Sequence, residues 1–236
     1  MNDRNAAVCI LLCLTVLIGS AVFLDAQRSQ QIVDDFHKLY YQSSGQTWLN
    51  TRWLGVPIQK CPLDLQVFQE IIWETRPDVI VEAGTAFGGS ALFMADVLDA
   101  VGKGRVVTID IKDIKGRPQH GRITYLTGSS TSPAIVAKVK SMIRPGETVM
   151  VDLDSDHRKA HVLKEMRLYA PLVTKGSYLI VEDTNINGHP VEPNFGPGPA
   201  EALAEFLKGN RDFVVDKQRE KLILTFNPGG YLRKVR

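Results

Sequence analysis

Two acidic clusters, Asp152-Leu153-Asp154-Ser155-Asp156-His157 and Glu182-Asp183, hold side chains that could do chemistry together. Each closes a short apolar run, Thr148-Val149-Met150-Val151 and Ser177-Tyr178-Leu179-Ile180-Val181. Runs of this kind read as strands of a parallel sheet buried on both faces. Their carboxylates then emerge together at the carboxyl edge, where open α/β sheets bind ligands. Carboxylates crowded there repel one another unless a hard cation such as Mg2+ neutralises them, and Asp and Glu oxygens are its preferred ligands. The pattern predicts a metal site. A lone Asp after a strand is often only a helix cap, but two clusters at two strand ends make capping the weaker reading.

A glycine loop, Glu82-Ala83-Gly84-Thr85-Ala86-Phe87-Gly88-Gly89-Ser90, follows the expected strand Val79–Glu82 and precedes a helix ending near Leu98. Glycines there let backbone N–H groups approach a nucleotide-like ligand. Asp110 ends the next expected strand about 20 residues on, the place for an acid that hydrogen-bonds ribose hydroxyls. Because Gly84 and Gly88 are separated by Thr85-Ala86-Phe87, the loop departs from G-x-G-x-x-G. It fits either a dinucleotide or S-adenosylmethionine. The alternative is a tight turn with Asp110 as a cap.

These groups must be positioned by a βα series. Strands are expected at Arg105–Asp110 and Ile123–Leu126, with helices at Pro133–Ile143, Lys159–Tyr169 and Pro199–Lys208. Two final strands, Phe213–Asp216 and Lys221–Phe226, joined by Lys217-Gln218-Arg219-Glu220, predict an antiparallel hairpin at one edge of the sheet. Ahead of the series lie an amphipathic helix at Gln30–Tyr41, an aromatic segment from Thr47 to Pro57 and a helix at Leu63–Glu74. Trp48 and Trp53 suit either a substrate pocket or core packing.

The N-terminal run Ala6–Leu24 carries no charge and has about the 20 residues needed to cross a bilayer. It predicts a membrane anchor through residues 6–24 or a signal peptide. The poor cleavage site around Leu24-Asp25-Ala26 favours the anchor. A net charge of +2 gives no electrostatic case for nucleic acid, and the basic end Arg233-Lys234-Val235-Arg236 reads as a solvated tail. Three cysteines build neither a disulfide framework nor a thiolate zinc site, and Cys61 reads as a packing residue. Residues 1–28 are thus expected to be the anchor or signal, 29–77 a helical region on the substrate side, and 78–236 the catalytic domain.

Taken together, Trp53-Leu54-Gly55-Val56-Pro57, the glycine loop, Asp154-Ser155-Asp156-His157 with His161-Val162 and Glu165, Val181-Glu182-Asp183-Thr184, and Gly196-Pro197-Gly198-Pro199 resemble the cephalosporin hydroxylase family. That family includes rhamnosyl O-methyltransferases. The resemblance covers about residues 45 to 230. It implies an α/β, Rossmann-like class I methyltransferase fold with a seven-stranded, mostly parallel sheet. It also implies that Gly84, Ser90 and Asp110 hold S-adenosylmethionine, with Glu82 and Gly88 of the same loop beside them and Ser129 on the adenine side. Asp154, Glu182 and Asp183 resemble an Mg2+ triad. His157 takes the position of the lysine proposed as base in cation-dependent relatives, while His161 reads as supporting and Asp152 as a reserve ligand.

The expected activity is methyl transfer from S-adenosylmethionine to a hydroxyl of a sugar, glycolipid or secondary metabolite, assisted by Mg2+. Asp154 would hold the metal and His157 would accept the proton. Two other classes compete: an oxidoreductase or hydroxylase of the cephalosporin hydroxylase type, and a non-catalytic, membrane-tethered binding protein. Irregular glycine spacing argues against a nicotinamide cofactor, and the Asp/Glu set against a two-histidine iron site. Cytoplasmic supplies of S-adenosylmethionine place the anchored domain on the cytoplasmic side. A cleaved signal would instead export it. A homo-oligomer is compatible with the sequence, which does not specify one.

Overall fold

The apolar runs after Asp78 form strands because helices cover both faces of their sheet, so no polar alternation is needed. The structure, a computed structural model, describes residues 24–25 and 27–236. Residues 27–42 form helix α1. A 3-10 turn at Trp48–Asn50 leads to a small hairpin, β1 (Arg52–Trp53) and β2 (Val56–Pro57), and then to α2 (Pro62–Thr75). The main series is β3 (Val79–Ala83), α3 (Gly89–Val101), β4 (Arg105–Asp110), β5 (Ile123–Thr127), α4 (Pro133–Ser141), β6 (Val149–Leu153), α5 (Lys159–Tyr169), β7 (Tyr178–Val181), α6 (Pro199–Gly209), β8 (Phe213–Val215) and β9 (Tyr231–Lys234).

The seven-stranded sheet has the order β5-β4-β3-β6-β7-β9-β8. Strands β3 to β7 run parallel, and β9 is antiparallel to both β7 and β8. From β3 the chain builds outward to β5, then returns to place β6 on the other side of β3. That reversal opens a crevice beyond the carboxyl ends of the strands. On one face Val162, Met166, Leu203 and Phe206 pack on the sheet; on the other, Phe68, Ile71, Met94 and Leu98 do.

Three expectations need correction. The last hairpin is real, but its second strand is Tyr231–Lys234 rather than Lys221–Phe226, and Lys217–Glu220 is a 3-10 turn. Buried Asp64 takes the Thr225 hydroxyl at 2.5 Å and the Phe226 N–H at 2.8 Å. That backbone is therefore satisfied without a ladder. The basic C-terminus is consequently an edge-proximal strand, with Tyr231 and Leu232 buried and the Lys234 amine on the Val173 carbonyl at 2.7 Å. Finally, Asp152 lies inside β6, paired in register with Ile180, and is fully buried. It is not a loop ligand. The apolar run Ala6–Leu24 lies outside the described residues except for Leu24, and among the described residues no helix is long and apolar enough to cross a membrane.

Helix α1 docks through an aromatic cluster. His37 stacks on Phe226 with ring centroids 5.5 Å apart, and its Nε2 lies 2.9 Å from the Asn185 amide nitrogen. Burial lowers the imidazole from 6.5 to about 4, with Asp34 opposing. Below pH 6.5 the undocked helix therefore binds more protons than the docked one, so docking weakens as pH falls toward 4. Thermal unfolding at pH 7 and pH 5 should differ more for the wild-type chain than for His37→Gln. Equal pH dependence in both would remove His37 as the cause.

Candidate active site

Four strand ends converge at the crevice. Gly84 follows β3, Asp110 ends β4, Asp154 follows β6, and Glu182 and Asp183 follow β7. A cavity of about 290 Å3 opens there, lined by Gly84, Asp110, Ser129, Ser130, Asp154 and His161 among others. Gly84 has φ +108°, and a Cβ on it would stand 1.8 Å from the Asp154 carbonyl oxygen. Only glycine lets the loops after β3 and β6 approach this closely. The Asp110 carboxylate accepts from the N–H groups of Ala86 and Lys112, both at 2.8 Å, with Arg117 at 3.3 Å. Since a carboxylate offers about four lone-pair sites, ribose hydroxyls can still be accepted.

The other expected cofactor residues have different places. Glu82 is fully buried under the loop, accepting from the hydroxyls of Ser90 and, at 2.5 Å, Thr108. Burial raises its carboxyl. Glu82 thus braces the glycine loop and does not border the cavity. Gly88, at φ +84°, caps the start of α3 against Pro118 and Tyr125. Ser129 does line the cavity, and its hydroxyl is 3.2 Å from that of Thr131.

One wall is tied together by buried Glu165 of α5. Its Oε1 accepts from the hydroxyls of Ser130 at 2.5 Å and Ser155 at 2.6 Å, with the His161 ring nitrogen 3.3 Å away. Glu165 also raises the His161 imidazole. The loops after β5 and β6 are thereby held to the same helix.

A second cavity, about 370 Å3, meets the first at Gly84, Ala86, Asp154 and Ser155. His157 and Asp183 line it, together with Tyr41, Trp48, Phe87 and Phe195. One ligand atom from each of Asp154, His157 and Asp183 falls within 4.8 Å of the others, and the His157 Nε2 is 3.4 Å from the Asp183 carboxylate. Asp183 adopts φ +53° and its N–H donates to the Asn227 side-chain oxygen at 3.0 Å. Burial pushes its carboxyl up to about 6, with His157 opposing. Two carboxylates on an open side suit Mg2+, which retains several waters and takes only one or two protein carboxylates.

Glu182, expected as the third ligand, is not in that group. It turns inward to Lys60, whose amine lies 2.5 Å from Glu182 and 2.8 Å from Asp154. Lys60 is itself buried, and the two acids raise its amine well above the ordinary range despite the opposing effect of burial. Beneath it, burial pushes Asp152 up to about 7, while burial and Asp152 together raise Glu182. Both Asp152 oxygens lack a partner among the described residues. Two acids raised in this way favour holding a proton, which would leave Lys60 facing fewer net charges. Sequence reasoning missed Lys60, since nothing in Gln59-Lys60-Cys61-Pro62 points to a carboxylate 94 residues away.

Comparison with known proteins places these features in a wider set. The family model described as Rhamnosyl O-methyltransferase/CmcI matches residues 45–235. A rhamnosyl O-methyltransferase of Mycobacterium leprae (strain TN) is 39% identical, with 86% of this chain and 91% of that protein aligned. Another, from Mycobacterium tuberculosis (strain ATCC 25618 / H37Rv), is 37% identical, with 98% and 97% aligned. Among solved structures, CmcI with Mg and SAM superimposes with TM-score 0.61 at 23% identity, covering 80% of this chain and 78% of that one. An O-methyltransferase from Bacillus cereus in complex with SAH gives 0.54 at 15% identity, covering 85% and 90%. At these identities the structures speak to the fold.

Proposed function

The chain belongs to the rhamnosyl O-methyltransferase/CmcI family, and from that membership we propose that it transfers the methyl group of S-adenosylmethionine to a hydroxyl of a sugar or related metabolite. The observation that carries this reading is the meeting of two cavities across Gly84 and Asp154. Methyl transfer is an in-line displacement, so donor and acceptor must approach one point from opposite sides. The cavity with Asp110 and Ser129 takes the donor, and the one with His157 and Asp183 takes the acceptor. Relatives named for rhamnosyl O-methylation support a sugar hydroxyl.

Asp154 and Asp183 are the residues that would hold Mg2+. When bound, the ion lowers the pKa of the acceptor hydroxyl and fixes its oxygen. His157, held near Asp183, takes the proton as the new C–O bond forms and the sulfur–carbon bond breaks. Lys60 and Glu182 keep Asp154 in place from below. Ile186 and Phe195 add apolar surface to the acceptor cavity.

Titration calorimetry against S-adenosylmethionine, with NAD as control, tests the donor site. Saturable binding of the first alone is expected, while binding of NAD alone would move the chain to the oxidoreductase class. Localisation is a separate proposal: the uncharged run Ala6–Leu24 anchors the enzyme to a membrane with the catalytic domain on the cytoplasmic side. Protease added outside intact cells should leave that domain uncut; digestion would refute the orientation.

A further inference from the structure

The acceptor cavity has one wall that comes from outside the catalytic series. Tyr41 lies in α1 and Trp48 in the 3-10 turn after it, yet both line the space that contains Asp154, His157 and Asp183. Their rings stack, with centroids 5.2 Å apart and planes at 28°, and both rest on Phe226. Phe87 and Phe195, 42% and 43% exposed, line the same cavity. No lysine or arginine is among the described residues lining this cavity. A phosphorylated or carboxylate-bearing acceptor would find no ammonium or guanidinium there, only an ion held by Asp154 and Asp183. Aromatic rings do offer large, rigid, apolar surface with a polar tip, which matches the C–H face of a pyranose.

The two aromatic side chains differ in what they have left to give. The Trp48 indole N–H is committed to the Tyr41 carbonyl at 3.1 Å, so only its ring is available. The Tyr41 hydroxyl has no hydrogen-bond partner among the described residues. Burial, with Asp183 and Glu192 adding, pushes that phenol up to about 12. It is therefore a donor at neutral pH.

We propose that Tyr41 and Trp48 read the acceptor: their rings pack against one face of an uncharged pyranose, and the Tyr41 hydroxyl donates to a second oxygen of the sugar, distinct from the one methylated. This rests on the methyltransferase reading and assigns it a specificity element. The N-terminal helix is then part of the substrate site, and the His37 contact that docks it also sets where Tyr41 stands.

The test uses the full chain, S-adenosylmethionine, and methyl α-L-rhamnopyranoside with its monodeoxy analogues as probes. Tyr41→Phe should raise the acceptor KM roughly 5- to 10-fold, the effect of one lost hydrogen bond, with kcat and donor affinity nearly unchanged. One monodeoxy probe should show the same loss with the wild-type enzyme and no further loss with Tyr41→Phe. A structural role for Tyr41 would not single out one hydroxyl. Unchanged KM in Tyr41→Phe, or equal sensitivity of every deoxy probe in both proteins, would overturn the proposal. So would a wild-type enzyme that binds S-adenosylmethionine but neither binds nor methylates any rhamnoside, and that result would leave the methyltransferase reading standing. Absence of donor binding would remove both.

Discussion

Replacing Asp154 by Asn is expected to lower methyl transfer roughly 10³-fold, the scale seen when one preorganised electrostatic contact to a reacting centre is removed. Asp154 is the one carboxylate that borders both cavities and belongs to the group able to share an ion. Asn keeps its size but gives up the negative charge, so the acceptor oxygen loses both its positioning and its activation. Lys60 retains Glu182 as a partner in the variant, which is why the fold should persist. Single-turnover assays at saturating Mg2+, alongside circular dichroism and donor calorimetry, check this. Activity within tenfold of the wild type would deny Asp154 its role at the metal.

Lys60→Met should be the most destabilising of the site substitutions. The side chain is buried against Asp154 and Glu182, with Asp152 and Glu82 close enough to raise or be lowered by the same charge. Removing one partner of a buried ionic group leaves the others uncompensated, at a cost of about 3–5 kcal/mol. Adding Glu182→Gln to Lys60→Met should recover part of that loss, because it removes one of the stranded charges. Urea unfolding measures both. A loss below about 1 kcal/mol in the single variant, on the scale of an exposed pair, would mean that the acids are held neutral without the amine.

The carboxyl edge of the sheet was legible in the sequence because its signals are local. Apolar runs ended by acids give strand ends, and Gly84 before a helix gives the close approach of two loops, which the contact with the Asp154 carbonyl explains. Asp110 was placed by spacing alone. What stayed hidden was long-range pairing. Lys60 reaches its partners from the loop before α2, and no periodicity marks a buried lysine. Glu182 and Asp183 are adjacent in sequence, yet Asp183, at positive φ, lies near His157 while Glu182 pairs with Lys60, a separation that adjacency in sequence does not reveal. The basic end Arg233–Arg236 reads as a tail because its charges look solvated, whereas Arg233 and Lys234 belong to a strand between β7 and β8 and the Lys234 amine reaches the Ala170 and Val173 carbonyls. Trp48 packs on Tyr41 and Phe226 and also lines the cavity that holds His157.

Methyl transfer is tested by following the methyl group itself. Full-length protein would be incubated with S-adenosylmethionine carrying an isotope-labelled methyl and with methyl α-L-rhamnopyranoside, with Mg2+ or with chelator, and the products resolved by mass spectrometry. A labelled O-methyl ether and S-adenosylhomocysteine are expected in equal amounts, strongly reduced by chelation and in Asp154→Asn. Label that stays on the donor across a panel of neutral glycosides, in protein that binds S-adenosylmethionine, would contradict methyl transfer to a sugar hydroxyl.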